Sequence, residues 1–170
     1  VLMLRDLATG QVRPLTQAWD RSVGSIEWAK DGRSILVTAE DTLEGPVFRV
    51  LVATGKVTRL TGDGNYGNVH ALADGGIVAT MNCIRAPDDL YRLDPSGRPT
   101  QLTNLNGALL SQLDPVTFRK FSFKGANNDT VWGWTLKPAN VTAPLPVSFV
   151  VHGGPQGSFN NSWSYRWNPR

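Results

Sequence analysis

Short runs of alternating apolar and polar residues, separated by turn residues, fill the first two thirds of the chain. Four such runs cover residues 25–28, 34–39, 47–51 and 57–61. A period of two along the chain predicts half-buried β-strands. Asp-Gly and Thr-Gly pairs between the runs tolerate the positive φ of a tight turn. The pattern therefore predicts antiparallel hairpins.

A repeat organises these hairpins. Turn glycines recur at Gly10, Gly55 and Gly97, and each precedes a run that ends in Leu-Thr. Four short strands in a period in the low forties are typical of a β-propeller blade. We interpret residues 1–113 as blades, with residues 1–16 as the outer hairpin of the first. Because closed rings use about 4–8 blades, we expect these to be the last two to three blades of a longer propeller. A small open β-sandwich is the alternative.

The repeat stops after Leu113, and a different pattern follows. Two alternating runs at residues 118–123 and 130–136 flank a turn-rich stretch, which predicts another hairpin. A linker with two prolines then leads into residues 147–151, a nearly continuous apolar run. Such a run is typical of a strand buried on both faces of an α/β sheet. We therefore expect residues 114–170 to begin a second domain.

Composition changes this picture little. The balance of 41% hydrophobic and 18% charged residues is that of a globular chain. The net charge of +3 comes from scattered side chains, so the sequence predicts no nucleic-acid partner. No apolar stretch is long enough for a membrane-spanning helix. Cys83 and the distant pair His70 and His152 do not make a metal-ligand set, and His70 is interpreted as an ordinary strand residue.

The apolar run at residues 147–151 opens directly into His152-Gly153-Gly154-Pro155. Two glycines at the end of a buried strand let backbone N–H groups face outward with no β-carbon in the way. An oxyanion hole needs donors of this kind. A His-Gly-Gly loop serves that purpose in α/β-hydrolases. An ordinary tight turn is the alternative interpretation.

The residues from His152 onward resemble a known family. His152-Gly153-Gly154-Pro155-Gln156-Gly157, followed by the aromatic segment 163–169, is similar to the start of the hydrolase domain in prolyl-oligopeptidase-family serine peptidases, of the acylaminoacyl-peptidase and dipeptidyl-peptidase V type. Residues 132–138 resemble that family's first hydrolase strands. Residues 87–91 resemble a strand of its closing propeller blades.

The resemblance implies a propeller that caps an α/β-hydrolase domain and a substrate range of short peptides. It implies that Gly154 offers a backbone N–H to the oxyanion and that Gly153 shapes the loop. His152 and Pro155 would orient that loop. It implies no cofactor and no membrane partner, with a homo-oligomer left open. Bacterial members of this family are often exported, so the resemblance favours an exported protein. A cytoplasmic location is the alternative.

One departure limits the expected activity. A Gly-x-Ser-x-Gly nucleophile elbow is absent, and only 15 residues follow Pro155. We therefore expect the serine, acid and base beyond Arg170, and we expect these 170 residues to be inactive alone. The hypothesis is a serine exopeptidase or oligopeptidase that releases dipeptides or acyl-amino acids. The alternative is a propeller-based binding or scaffold protein with a vestigial hydrolase-like domain.

Two further groups of residues have competing interpretations. Glu40, Asp41 and Glu44 could bind a peptide ammonium group, although a solvated loop is the commoner explanation. Trp163, Tyr165 and Trp167 could line a substrate pocket, although packing against a domain interface is the preferred interpretation.

Overall fold

Antiparallel hairpins make up the fold. A computed structural model describes residues 1–154 and 157–168. The strands in these ranges are β1 (Met3–Arg5), β2 (Val12–Pro14), β3 (Val23–Trp28), β4 (Ser34–Ala39), β5 (Val47–Leu51), β6 (Val57–Arg59), β7 (Asn65–Ala71), β8 (Ile77–Cys83), β9 (Ala86–Leu93), β10 (Pro99–Gln101), β11 (Val116–Lys124) and β12 (Thr130–Pro138). One turn of α-helix, α1, spans Gly107–Leu110, and a short 3₁₀ turn spans Ala126–Asn128. No helix within the described ranges has the length and apolar character needed to cross a membrane.

The strands form two four-stranded sheets and two separate hairpins. The sheets have the simple orders β3-β4-β5-β6 and β7-β8-β9-β10, and β1-β2 and β11-β12 pair alone. All of these pairings are antiparallel. Each four-stranded sheet is an up-and-down meander, which is the topology that the repeat predicts for a propeller blade.

Alternation along β4 explains why the sheets stack. Ile35, Val37 and Ala39 belong to a core shared with Leu2, Leu15, Phe48 and Val50, which lies between the β1-β2 hairpin and the first sheet. Leu36, on the opposite face of the strand, belongs to a core with residues of the second sheet. Successive side chains of a strand point to opposite faces, so one strand contributes to two cores. β4 is accordingly buried at five of its six residues.

The recurring Leu-Thr pair has a structural role in every repeat. The threonine hydroxyl accepts a hydrogen bond from a backbone N–H that lies 13 or 14 residues earlier in the chain. The three bonds are Leu2 N–H to Thr16 Oγ1 (2.8 Å), Val47 N–H to Thr61 Oγ1 (3.0 Å) and Leu90 N–H to Thr103 Oγ1 (2.9 Å). Each threonine therefore supplies the partner that a continuing backbone ladder would otherwise supply.

The prediction of a strand at residues 147–151 is wrong. The structure has no strand there, and Val147, Phe149 and Val151 are 89%, 83% and 69% exposed. A strand exists only where its N–H and C=O groups pair with a neighbouring strand. None of the described residues forms such a neighbour for this run, so apolar composition alone did not produce a strand.

Candidate functional site

The glycine loop predicted from the sequence has the conformation that glycine permits. Gly154 has φ +151°, a value that residues with a β-carbon rarely adopt. An added β-carbon at Gly153 would meet no atom within 4 Å. Within residues 1–154 and 157–168, the amides of Gly153 and Gly154 donate no hydrogen bond to a protein group. Pro155 and Gln156, also part of the predicted loop, lie outside the described residues.

His152 contacts the loop rather than pointing away from it. Its Nδ1 lies 2.8 Å from the carbonyl oxygen of Gly153, so the tautomer protonated at Nδ1 donates to that carbonyl. The imidazole also packs edge to face with Phe159, at 6.3 Å between ring centroids. These two contacts fit a residue that fixes the loop, which is the role that the resemblance implies for His152.

A line of contacts connects Phe159 to the β11-β12 hairpin. The Trp134 indole Nε1–H donates to the Phe159 carbonyl oxygen at 2.9 Å. The Trp134 ring packs edge to face with Phe118 and lies 5.3 Å from the Lys120 ammonium. β11 and β12 place these three side chains on one face, because Phe118, Lys120 and Trp134 follow the two-residue period of paired strands.

Glu44, from the predicted acidic loop, is buried rather than solvated. Glu44 is only 1% exposed to solvent. Oε2 accepts hydrogen bonds from the Gly64 amide at 2.8 Å and from Asn161 Nδ2 at 2.9 Å. The Lys120 ammonium faces Oε1 as an ion pair at 3.0 Å, outside the angular range of a hydrogen bond. A buried carboxylate needs this degree of compensation, since an unpaired one is costly.

Asp41 is likewise engaged by protein groups. Arg21 Nη2 lies 2.9 Å from Oδ1 and Arg59 Nη1 lies 3.0 Å from Oδ2. Burial raises the pKa of Asp41, but the hydrogen bond and charge of Arg21 and the charge of Arg59 outweigh it, so the pKa lies below its ordinary value. Asp41 and Glu44 therefore do not offer free carboxylates to a peptide ammonium group. Glu40 accepts a hydrogen bond from Asn160 Nδ2 at 2.8 Å.

An open groove of about 800 Å³ lies beside these acids, at the ends of β3 and β4. Trp19, Arg21, Glu40 and Tyr66 are among its lining residues. Burial, followed by nearby acidic groups, raises the pKa of Tyr66 to about 12. The groove can thus offer ionic groups to a polar ligand. No group of three or more potential metal ligands occurs in the part of the chain that is described.

The residues after the glycine loop make contacts that no local sequence pattern predicts. Asn161 is 4% exposed and uses its amide N–H, its side-chain N–H₂ and its side-chain oxygen in three hydrogen bonds. A buried asparagine has no local pattern that distinguishes it from an exposed one.

The aromatic segment divides into a packed part and an exposed part. Trp163 is half-buried, its amide donates to Asn82 Oδ1 at 3.0 Å, and its ring packs edge to face with Tyr165. Tyr165 and Trp167 are 82% and 73% exposed. The packing interpretation thus fits Trp163 and does not fit the other two aromatic residues.

Curated proteins align with this sequence over nearly its whole length. No protein-family profile matches the sequence. It is 30% identical over 173 residues to dipeptidyl-peptidase 5 of Porphyromonas gingivalis, an alignment that covers 99% of this chain and 25% of that protein. It is 35% identical over 184 residues to a probable dipeptidyl-peptidase 5 of Emericella nidulans, covering 100% of this chain and 25% of that protein. The chain therefore spans about a quarter of the length of these curated relatives.

Solved structures share the fold. An acylaminoacyl peptidase of Pyrococcus horikoshii superposes with a TM-score of 0.76 at 24% identity, over 94% of this chain and 24% of that one. The AtxE2 isopeptidase superposes with a TM-score of 0.59 at 14% identity, over 71% of this chain and 19% of that one. At these identities the comparison establishes architecture, and it agrees with propeller blades followed by a hairpin.

Proposed function

We propose that this chain, which is related over its whole length to peptidases of the prolyl-oligopeptidase family, forms part of a serine peptidase that cleaves short peptides. In this proposal residues 1–113 are propeller blades and residues 114–170 begin the hydrolase domain. The chemistry is acyl transfer, with release of dipeptides or acyl-amino acids. The nucleophilic serine, the acid and the base lie beyond Arg170.

The conformation of the glycine loop carries this proposal. When a serine attacks a peptide carbonyl, negative charge develops on the carbonyl oxygen, and preorganised N–H donors stabilise that charge. The Gly154 amide is a suitable donor because it has no protein acceptor among the described residues. Gly153 adds a second exposed backbone unit, and the His152 imidazole holds the Gly153 carbonyl in place. Pro155 would fix the exit of the loop.

A substitution at Gly154 tests the role of the loop. In the complete peptidase, Gly154→Val should lower kcat by about 10²–10³ because a β-branched residue does not adopt this backbone conformation and the donor is displaced. Gly62→Val is the control, since an added β-carbon there meets nothing within 4 Å and the glycine has no positive φ. Initial rates with dipeptidyl-aminomethylcoumarin substrates measure both variants. An unchanged kcat in the Gly154 variant would remove this residue from the mechanism.

An active-site probe tests the peptidase assignment itself. A fluorophosphonate reacts covalently with an activated serine, so the complete protein should be labelled. The 170-residue chain should not react, since the proposal places the nucleophile beyond Arg170. Labelling is read by in-gel fluorescence. Absence of labelling in the complete protein would favour the alternative of a binding or scaffold protein.

A further inference from the structure

A short segment after the glycine loop contacts both four-stranded sheets. We define the docking segment as residues 159–163. Its hydrogen bonds reach the β4–β5 loop, the β8–β9 turn and the end of β8. They are Asn160 Nδ2 to Glu40 Oε1 (2.8 Å), Asn161 N–H to Leu43 O (2.7 Å), Asn161 Nδ2 to Glu44 Oε2 (2.9 Å), Ile84 N–H to Asn161 Oδ1 (3.0 Å) and Trp163 N–H to Asn82 Oδ1 (3.0 Å).

Asn161 is the central residue of this segment. It bonds to Leu43 and Glu44 in the β4–β5 loop and to Ile84 in the β8–β9 turn, so three of its polar groups are satisfied by parts of the chain 77 to 118 residues away. It is also 4% exposed, so water cannot replace these partners. Loss of the side chain would leave the buried Ile84 amide and one acceptor site of Glu44 without a partner.

The loop that receives Asn161 has an unusual backbone. Thr42 and Leu43 have φ of +52° and +67°, although neither is glycine. A β-branched residue at positive φ is a genuine outlier and persists only where surrounding contacts hold it. The Leu43 carbonyl accepts the Asn161 amide, and Asp41 and Glu44 exchange two backbone hydrogen bonds across the loop. Strain of this kind tends to occur where backbone groups are positioned for a function.

The docking segment also contacts the glycine loop. Phe159 packs its ring against His152, and its carbonyl accepts the Trp134 indole N–H. His152 in turn contacts the Gly153 carbonyl. The position of Asn161 between the two sheets therefore constrains Phe159, and Phe159 constrains the loop that carries Gly154.

We propose that Asn161 is a positioning residue for the oxyanion loop, and that it acts by fixing residues 159–163 to Glu44 and to the β8–β9 turn. This inference rests on the proposed function for its catalytic consequence. Asn161 contacts neither the substrate nor the reacting atoms. It determines where the Gly154 amide lies relative to the propeller sheets.

The test compares Asn161→Ala with Asn160→Ala in the complete protein. Asn160 is the neighbouring residue and makes its hydrogen bonds in an exposed setting, so its variant should retain the wild-type kcat. Asn161→Ala should lower kcat by about 10- to 100-fold, because small displacements of catalytic groups have large effects on rate. KM should change by less than about threefold, since substrate binding groups are not removed.

A second measurement reports the position of Phe159 without relying on activity. The protein is labelled with 5-fluorotryptophan, and the Trp134 resonance is assigned by its loss in Trp134→Phe. Asn161→Ala should shift this ¹⁹F resonance, because the indole donates to the Phe159 carbonyl. Asn160→Ala should leave it in place.

The outcomes separate the two proposals. A wild-type kcat in Asn161→Ala, or a lowered kcat with an unmoved Trp134 resonance, would overturn the positioning role. If the wild-type protein neither cleaves peptides nor reacts with fluorophosphonate, the proposed function fails, and the resonance alone decides whether Asn161 positions the segment. If Asn161→Ala does not fold, Asn161→Asp replaces it, since it keeps the side-chain shape and the acceptor for the Ile84 amide but removes the donor to Glu44. An unmoved resonance and an unchanged kcat in that variant would equally contradict the proposal.

Discussion

Asp41 shows how a residue that sequence analysis treated as a possible ligand group became part of the scaffold. Two arginines from different positions in the chain converge on its carboxylate, and its side chain retains only 21% exposure. Hydrogen bonds to charged groups are stronger than those between neutral groups. Exposed ion pairs contribute little to stability, and Asp41 differs from them in its partial burial and its two partners.

The charge of Asp41 should therefore make stability depend on pH in the acid range. The folded protein lowers the pKa of this carboxyl below its ordinary value of 3.8. Its stabilising contribution is then fully present above pH 3.8 and is lost as the pH falls through the lower, folded-state pKa. Asp41→Asn should reduce the free energy of unfolding by about 1 kcal/mol at pH 7, and the difference from wild type should shrink at lower pH. Urea unfolding at several pH values measures this. Asp20→Asn is the control because its side chain is fully exposed, and an equal effect there would contradict the prediction.

The turn glycines show how each repeat packs against the repeat before it. An added β-carbon at Gly55 would lie 2.0 Å from the Leu15 carbonyl oxygen, and one at Gly97 would lie 2.1 Å from the Leu60 carbonyl oxygen. The Leu-Thr end of one repeat thus rests on the turn glycine of the next. Both glycines also have positive φ. The backbone conformation and the close contact therefore each favour glycine at these positions.

Alanine substitutions separate these two requirements. Gly10 has φ +74°, similar to the other turns, but no atom lies within 4 Å of its added β-carbon. Gly10→Ala should therefore cost about 1 kcal/mol for backbone strain alone. Gly55→Ala and Gly97→Ala should each cost about 3 kcal/mol or more, because the backbone carbonyl of the preceding repeat must also move. Denaturant unfolding gives the three values. Equal costs at all three turns would show that the contact between repeats contributes nothing.

At the scale of the whole molecule, the two four-stranded sheets share one core. Leu36 and Val47 from the first sheet form a cluster with Ile77 and Leu93 from the second. Leu93 is fully buried, with an exposure of 0%. Because each sheet buries a face only against its neighbour, the stability of one depends on the other.

A cavity in this core should therefore weaken both sheets together. Leu93→Ala should lower the free energy of unfolding by about 2–5 kcal/mol. Amide hydrogen exchange should accelerate in β4 as well as in β8. Leu90→Ala lies on the same strand at a residue that is 42% exposed, and its effect should stay within about 0.5 kcal/mol. Faster exchange confined to the second sheet would contradict shared stability.

The local pattern of residues determined the strands and turns of this protein. β4 and β5 begin and end at the predicted residues, and the hairpin at residues 118–136 formed around its turn, because alternation and turn chemistry are properties of neighbouring residues. The propeller-type meander followed from the same patterns.

Tertiary structure decided the rest. The burial of Glu44, the two arginines around Asp41 and the hydrogen bonds of Asn161 join residues that are far apart in the chain, and no local pattern encodes which distant group completes a buried polar residue. The run at residues 147–151 gives the converse case. Its composition favours a strand, but a strand also requires a paired neighbour, and only the assembled fold supplies or withholds one.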